Sequence, residues 1–252
     1  MIQNTMIQNT MAQNAGVTRV VLVPGFTQTA AAWDPVAGEL RSAGHEVVAL
    51  DIAVADDFVT TAAAIGDAGG VGTYAGYSMG GRLCLRLAID RPDLVERLAL
   101  VSASPGIVDQ AESEARRARD ESLARDVERR GVEPFLRDWL AQPLFATLDP
   151  AAAQLAERAA GHTSAEIAAA LRILGTGTQE PLWHRLPSLH MPLALVTGRA
   201  DAKFESINDA MHSATTAAKQ VTRVHLDGGH ALLLEQPAAL AAFLIDWLAA
   251  SR

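Results

Sequence analysis

Gly76-Tyr77-Ser78-Met79-Gly80 sets a serine between glycines directly after Val71 to Gly76, an apolar run that reads as a short buried strand. Gly81 to Ile89 (GRLCLRLAI) follows with apolar residues at helical spacing. Strand, sharp turn and helix in that order give a nucleophile elbow, in which the serine hydroxyl stands exposed at the end of a sheet strand. Small flanking residues are required because larger ones would collide with the neighbouring strand and helix. The same pentapeptide could be an ordinary glycine-rich turn, and the strand and helix on either side favour the elbow. The residue after the serine, Met79, then presents its backbone N–H to a reacting carbonyl as one donor of an oxyanion hole.

Outward from the elbow, β-branched and leucine-rich runs recur between helical stretches, at 17–23, 46–50, 72–76, 97–103, 192–197 and 221–226. Alternation of this kind predicts an α/β fold with a mostly parallel, doubly wound sheet. Near-continuous apolarity, as in Leu98-Ala99-Leu100-Val101, fits strands covered on both faces. The strand signal stops between Gly106 and Leu189, where arginine and glutamate recur at helical spacing, broken by Gly131, Pro143, Pro150 and Gly161. A helical insertion at about 107–189 is expected there as a cap above the strand C-termini, where sheets of this kind bind ligands.

At 252 residues and 49% hydrophobic, the chain can bury a large core, and residues 17–252 are expected to form a single domain. The duplicated MIQNT at the start has neither a basic nor an apolar stretch of signal-peptide type. Residues 1–16 read as a disordered tail, with Met11 a second possible start. A net charge of −8 argues against nucleic acid or an anionic membrane as partner. No run approaches the roughly 18–20 apolar residues of a membrane span, so a cytoplasmic protein is expected. The lone Cys84 can form no internal disulfide or thiolate metal cluster and reads as a buried filler. No metal site is indicated.

A serine is a weak nucleophile without a base, and the base needs a third group to hold its tautomer. On a sheet of this kind the chain order is serine, acid, histidine. His230 follows the last expected strand in Asp227-Gly228-Gly229-His230 and is the base candidate. Asp201, in Gly198-Arg199-Ala200-Asp201 after the strand at 192–197, is the acid, with Asp227 the alternative. The second oxyanion donor is expected from the Phe26 N–H, in the Val23-Pro24-Gly25-Phe26-Thr27 turn after the first strand.

These residues resemble the α/β-hydrolase superfamily over nearly the whole chain. Gly76 to Arg82, Ser104-Pro105-Gly106-Ile107, Trp139 to Phe145 (WLAQPLF), Leu171 to Trp183 (LRILGTGTQEPLW) and Gly198 to Phe204 (GRADAKF) look like one branch, the 2-succinyl-6-hydroxy-2,4-cyclohexadiene-1-carboxylate synthases of menaquinone biosynthesis. The resemblance implies a lyase that eliminates pyruvate from a polycarboxylate cyclohexene, with no cofactor. It also implies arginines for the substrate carboxylates at Arg116 and, in a shifted register, Arg158, with Tyr77 beside the nucleophile in the same pocket. Arg82, one helical turn after Ser78, would be costly to bury alone; a substrate carboxylate or a glutamate of the insertion could pair with it. Trp139 and Phe145 are candidates for apolar pocket walls or for packing within the cap. The chain departs from the family in having Pro24-Gly25-Phe26 for His-Gly-Phe, and Asp51-Ile52-Ala53-Val54 for D-x-P-G-H-G. Besides the lyase, a carboxyl-ester or C–C bond hydrolase and a non-catalytic receptor for small molecules stand as alternatives. The expected ligand is a small-molecule carboxylate, and the oligomeric state is not legible.

Overall fold

The computed structural model describes residues 17–215 and 220–250; the tail expected at 1–16 lies outside them. Six strands form one sheet: β1 (Arg19–Val23), β2 (Glu46–Ala49), β3 (Gly72–Tyr77), β4 (Val95–Val101), β5 (Leu193–Gly198) and β6 (Val221–Leu226). Their order is β2-β1-β3-β4-β5-β6, with every pairing parallel. Winding leaves β1 in one direction toward β2 and returns on its other side at β3. The connections therefore diverge between β1 and β3, and a crevice opens beyond the C-terminal ends of those two strands.

Period-two alternation assigns each strand residue to a face. Val21, Val23, Tyr74, Leu98, Leu100, Leu193 and Leu195 pack with the helices α2 (Phe58–Gly69) and α3 (Met79–Asp90). Val20, Leu22, Ala75, Ala99, Val101, Ala194 and Val196 face the other way. There α1 (Asp34–Ser42) and the C-terminal helix at Pro237–Ala250 cover them with Val36, Leu40, Leu244 and Trp247. Both faces are buried, which explains the unbroken apolar runs. Strand β4 begins at Val95 and ends at Val101, two residues earlier at each end than the expected 97–103. It starts earlier because Val95 already pairs with Gly72 across a register shift, and it stops at Ser102, whose φ of 49° turns the chain out of the sheet.

Between β4 and β5 the described chain is helical: α4 (Gln110–Arg130), α5 (Val132–Leu140), α6 (Leu155–Ala160) and α7 (Ser164–Leu174), with short 3-10 turns between and after them. Asp109 caps α4 by accepting from the Glu112 N–H, and Gly131 ends it at φ 87°. These helices have an apolar core of their own, formed by Ala124, Val127, Phe135, Leu136, Ile167, Ala168 and Leu171. Arg172 ties α7 to α4 through Glu121 at 2.8 Å and Glu128 at 2.5 Å. Its guanidinium, with that of Arg125, holds the Glu121 carboxyl down at about 2. After β5 come α8 (Ala202–Ala214) and, beyond β6, α9 (Leu232–Glu235) and α10 (Pro237–Ala250). Among the described residues no helix is long and apolar enough to cross a membrane.

Candidate active site

Ser78 follows the last residue of β3 at φ 50° and ψ −108°, in a region that side-chain-bearing residues seldom adopt. Close packing around it enforces the strain. A Cβ on Gly80 would lie 2.3 Å from the Pro24 oxygen, and one on Gly76 would lie 2.6 Å from the backbone of Gly80 and Gly81. The elbow therefore presses against the end of β1 and its own helix, as the sequence pattern requires. The Ser78 N–H donates to the Val101 carbonyl at 2.8 Å and α3 begins at the next residue.

The His230 Nε2 lies 3.2 Å from the Ser78 Oγ, and its Nδ1 lies 2.7 Å from the Asp201 Oδ2. Asp201 and His230 are both buried. Asp201 also caps α8, its Oδ1 accepting from the Phe204 N–H, so the helix start fixes the carboxylate. The alternative acid, Asp227, is exposed and accepts from Arg199 at 3.1 Å instead. Glu235, which sequence reasoning missed, pins the histidine loop from below: its two carboxylate oxygens accept from the Gly229 and Ala231 N–H groups at 2.7 and 3.0 Å. No short motif marks such a role, because it depends on a helix folding back under its own preceding loop. Phe204, Tyr77 and Phe145 surround the His230 imidazole at centroid distances of 4.6, 5.5 and 6.0 Å.

A cavity of about 260 Å3 opens above Ser78 and His230. Phe26 and Met79 line it on the sheet side, Trp139 and Leu123 on the helical side, and Arg82, Arg116, Arg119 and Lys203 bring four cations to its wall. Arg119 and Lys203 are additions to the residues singled out from the sequence. Their positions on α4 and at the start of α8 place them there, and neither lies in a recognisable pattern.

Arg82 is buried, 8% exposed, and its guanidinium donates to two neutral acceptors, the Gln179 Oε1 at 2.8 Å and the Leu174 carbonyl at 2.6 Å. Burial, reinforced by the neighbouring Arg116 and opposed by Asp120, pulls it down to about 9. No carboxylate among the described residues bridges it, so the glutamate partner entertained from the sequence is absent there. Arg116 holds the buried Asp120 carboxylate at 2.9 Å, and Asp120, also on the cavity wall, is itself raised by burial.

The remaining sequence candidates sit elsewhere. Arg158 is buried and does not line this cavity: it donates to the Ala153 carbonyl at 2.8 Å and to the Thr27 Oγ1 at 2.7 Å, and its charge is disfavoured by burial. Its side chain thus clamps the turn after β1, where Thr27 is held at φ 62°. Tyr77 packs in the core beneath Gly25, and burial pushes its phenol well above the ordinary range. Phe145 fills the space between Trp139 and His230.

Residues 20–243 match the alpha/beta hydrolase family. Among curated relatives, a 2-succinyl-6-hydroxy-2,4-cyclohexadiene-1-carboxylate synthase of Serratia proteamaculans is 30% identical over 86% of this chain and 83% of its own. A Bacillus subtilis protein provisionally given the same name is 32% identical over 69% of this chain, and the match spans 64% of that relative's length. Among solved structures, MenH from S. aureus superposes with a TM-score of 0.83 at 25% identity, covering 93% of this chain and 94% of its own. The chain belongs to the alpha/beta hydrolase family, as an enzyme of that fold similar to the 2-succinyl-6-hydroxy-2,4-cyclohexadiene-1-carboxylate synthases.

Proposed function

We propose that this enzyme is a lyase that eliminates pyruvate from a polycarboxylate cyclohexene in menaquinone biosynthesis, with Ser78, His230 and Asp201 as its catalytic residues. The observation that carries the reading is Arg82: a buried guanidinium with neutral partners only, on the wall of the cavity that holds Ser78. A carboxylate supplied by the substrate would pair it, and a bidentate contact suits a planar guanidinium. Arg116, Arg119 and Lys203 extend the same field around the cavity in a chain of net charge −8. An ester with neutral acyl chains would leave the buried Arg82 charge with neutral partners only.

In this mechanism His230 Nε2 accepts the Ser78 hydroxyl proton while the Asp201 carboxylate accepts from Nδ1–H and stabilises the imidazolium that forms. The Ser78 alkoxide then takes the acidic ring C–H proton, and the resulting enolate oxygen is held by the backbone N–H groups of Phe26 and Met79. Collapse of the enolate breaks the ring C–O bond. Enolpyruvate leaves, the imidazolium returns its proton to it, and pyruvate forms by tautomerisation. Arg158 supports the oxyanion loop in this account instead of touching substrate, because its donors are committed to Thr27 and Ala153. The helices at 107–189 act as the cap of one catalytic domain, with Trp139 and Leu123 as its apolar contribution and Phe145 excluding water behind His230. The substrate is a small-molecule carboxylate, met in the cytoplasm.

Assaying pyruvate release from the cyclohexene substrate beside hydrolysis of a neutral p-nitrophenyl ester tests the proposal. Release of pyruvate at kcat/KM far above that of ester cleavage supports it. Rapid ester turnover with no pyruvate release replaces the lyase by the serine hydrolase, in which Ser78 forms an acyl-enzyme; neither activity in a folded protein leaves the receptor reading.

A further inference from the structure

Arg116 and Asp120 stand one turn apart on α4, and both line the cavity that holds Ser78. Their side chains are 33% and 4% exposed, so the carboxylate is the buried member of the pair. Such a group is expensive on the wall of a site for an anion: it repels the ligand, and its own ionisation is disfavoured by burial. Stapling the helix does not account for it. Asp126 pairs with Arg130 at the same four-residue spacing on α4, with both side chains in contact with solvent, so the pairing by itself needs no buried carboxylate.

The geometry of the pair is specific. Arg116 Nε donates to both Asp120 oxygens, at 2.9 and 3.0 Å. Of the five N–H donors of a guanidinium, this occupies the one on Nε; the four on Nη1 and Nη2 have no acceptor among the described residues. A carboxylate can be held bidentately across the Nε edge of arginine or across its Nη1–Nη2 edge. Asp120 occupies the first and leaves the second for a ligand. The carboxylate is itself held in place from α7. That helix ends at Gly175, also on the cavity wall, where a Cβ would lie 2.6 Å from the Asp120 Oδ2, so the backbone passes directly against it.

We propose that Asp120 is a positioning residue for substrate binding: by accepting from Arg116 Nε it fixes the guanidinium so that Nη1 and Nη2 together grip one carboxylate of the substrate in the Ser78 cavity. Asp120 touches no substrate atom and acts through Arg116. The inference rests on the polycarboxylate reading above and adds to it the residue that orients one of the cations. Because the same contact is made in the ground state and the transition state, its loss should raise KM and not lower kcat.

The test is a double-mutant cycle read as steady-state pyruvate release. Asp120→Asn, nearly the same in volume, should raise KM at least tenfold with kcat within threefold of wild type. Arg116→Met should raise KM at least as much, and the double variant should be no more than threefold weaker than Arg116→Met alone, since Asp120 has nothing left to orient. Arg116→Lys keeps the charge without the fork and should also raise KM at least tenfold; it carries the test if Asp120→Asn does not fold. Asp126→Asn, which breaks the other pair on α4, should leave KM within twofold. An unmoved KM in Asp120→Asn or in Arg116→Lys, or an equal rise in Asp126→Asn, overturns the proposal. So do additive effects of Asp120→Asn and Arg116→Met, which would have Asp120 act on the neighbouring Arg82 charge instead. A wild-type protein that releases no pyruvate removes the lyase reading separately; the same variants are then compared by calorimetric binding of benzene-1,2,4-tricarboxylate, which needs no turnover, with the same fold-changes expected in Kd and the same outcomes overturning the proposal.

Discussion

Replacing Arg82 by methionine separates a substrate-binding cation from a structural one, because the two roles predict opposite pairings of stability and activity. In the free protein the Arg82 charge is disfavoured: burial and Arg116 bring it from an ordinary 12.5 to about 9, which corresponds to roughly 4–5 kcal/mol against the ionised form. Methionine removes that charge and refills most of the volume, as replacements of buried charged groups by apolar residues often do without loss. Against this gain, the Gln179 Oε1 and the Leu174 carbonyl lose their donor, at roughly 1–3 kcal/mol each. The opposing effects nearly cancel. A Tm within about 4 °C of wild type is expected, since about 1 kcal/mol moves the Tm of a chain of this size by roughly 2–4 °C. Activity toward the polyanion should behave differently: breaking a buried, hydrogen-bonded charge pair costs about 2–5 kcal/mol, or roughly 30- to 5,000-fold in kcat/KM. A thermal melt with steady-state pyruvate release measures both. The reasoning fails if Arg82→Met keeps kcat/KM for the polyanion within threefold of wild type, or if Tm drops by ten degrees or more and a neutral ester loses as much activity as the polyanion.

The same residue sets a pH limb. A depressed arginine is protonated below about 9 and loses its proton as pH rises through that value, so kcat/KM for the anionic substrate should fall above pH 9 in wild type and lose this limb in Arg82→Met. Ser78→Ala and His230→Ala should each lower kcat by several orders of magnitude, and Asp201→Asn by less than either, through the wrong imidazole tautomer; Ser78→Ala within tenfold of wild type removes the triad assignment. Arg158→Met should lower kcat more than it raises KM, read from initial rates, because it loosens the Phe26–Thr27 turn and not a substrate contact; a pure rise in KM would return Arg158 to the substrate. Gly80→Ala sets a methyl 2.3 Å from the Pro24 oxygen and 2.4 Å from that of Val23, both backbone, so it should destabilise strongly in urea titration, and an unchanged midpoint would contradict the packing of the elbow.

Much of this was legible in the chain itself. The six strand-like runs became six strands, most plainly the inner β1, β4 and β5, because residues covered on both faces of a parallel sheet have few alternatives to Val, Leu, Ile and Ala. The glycines around Ser78 pointed to its strained turn because a Cβ on Gly76 or Gly80 would fall only 2.3–2.6 Å from neighbouring backbone atoms. The helical stretch after Gly106 was visible in its arginine and glutamate spacing. Asp201 and Asp227 were both open from the sequence, since each follows a strand; the register of β5 against β6 and the start of α8 aim one carboxylate at His230 and leave the other with Arg199 in solvent.

The limit lies with side chains whose meaning depends on what other segments bring to them. Arg158 and Arg116 look alike in sequence, yet one is turned onto Thr27 and the other onto the wall of the Ser78 cavity, by the orientation of α6 and α4. Lys203, Arg119 and Glu235 carry no local pattern, and their roles depend on which elements fold against them. Local sequence determined the strands, the elbow and the order in which Ser78, Asp201 and His230 follow their strands, because backbone sterics and period-two burial act over a few residues. Which cations share a cavity and which carboxylate meets the histidine were decided by tertiary packing alone, because those contacts join residues as far apart as Arg82 and Gln179 or Ser78 and His230.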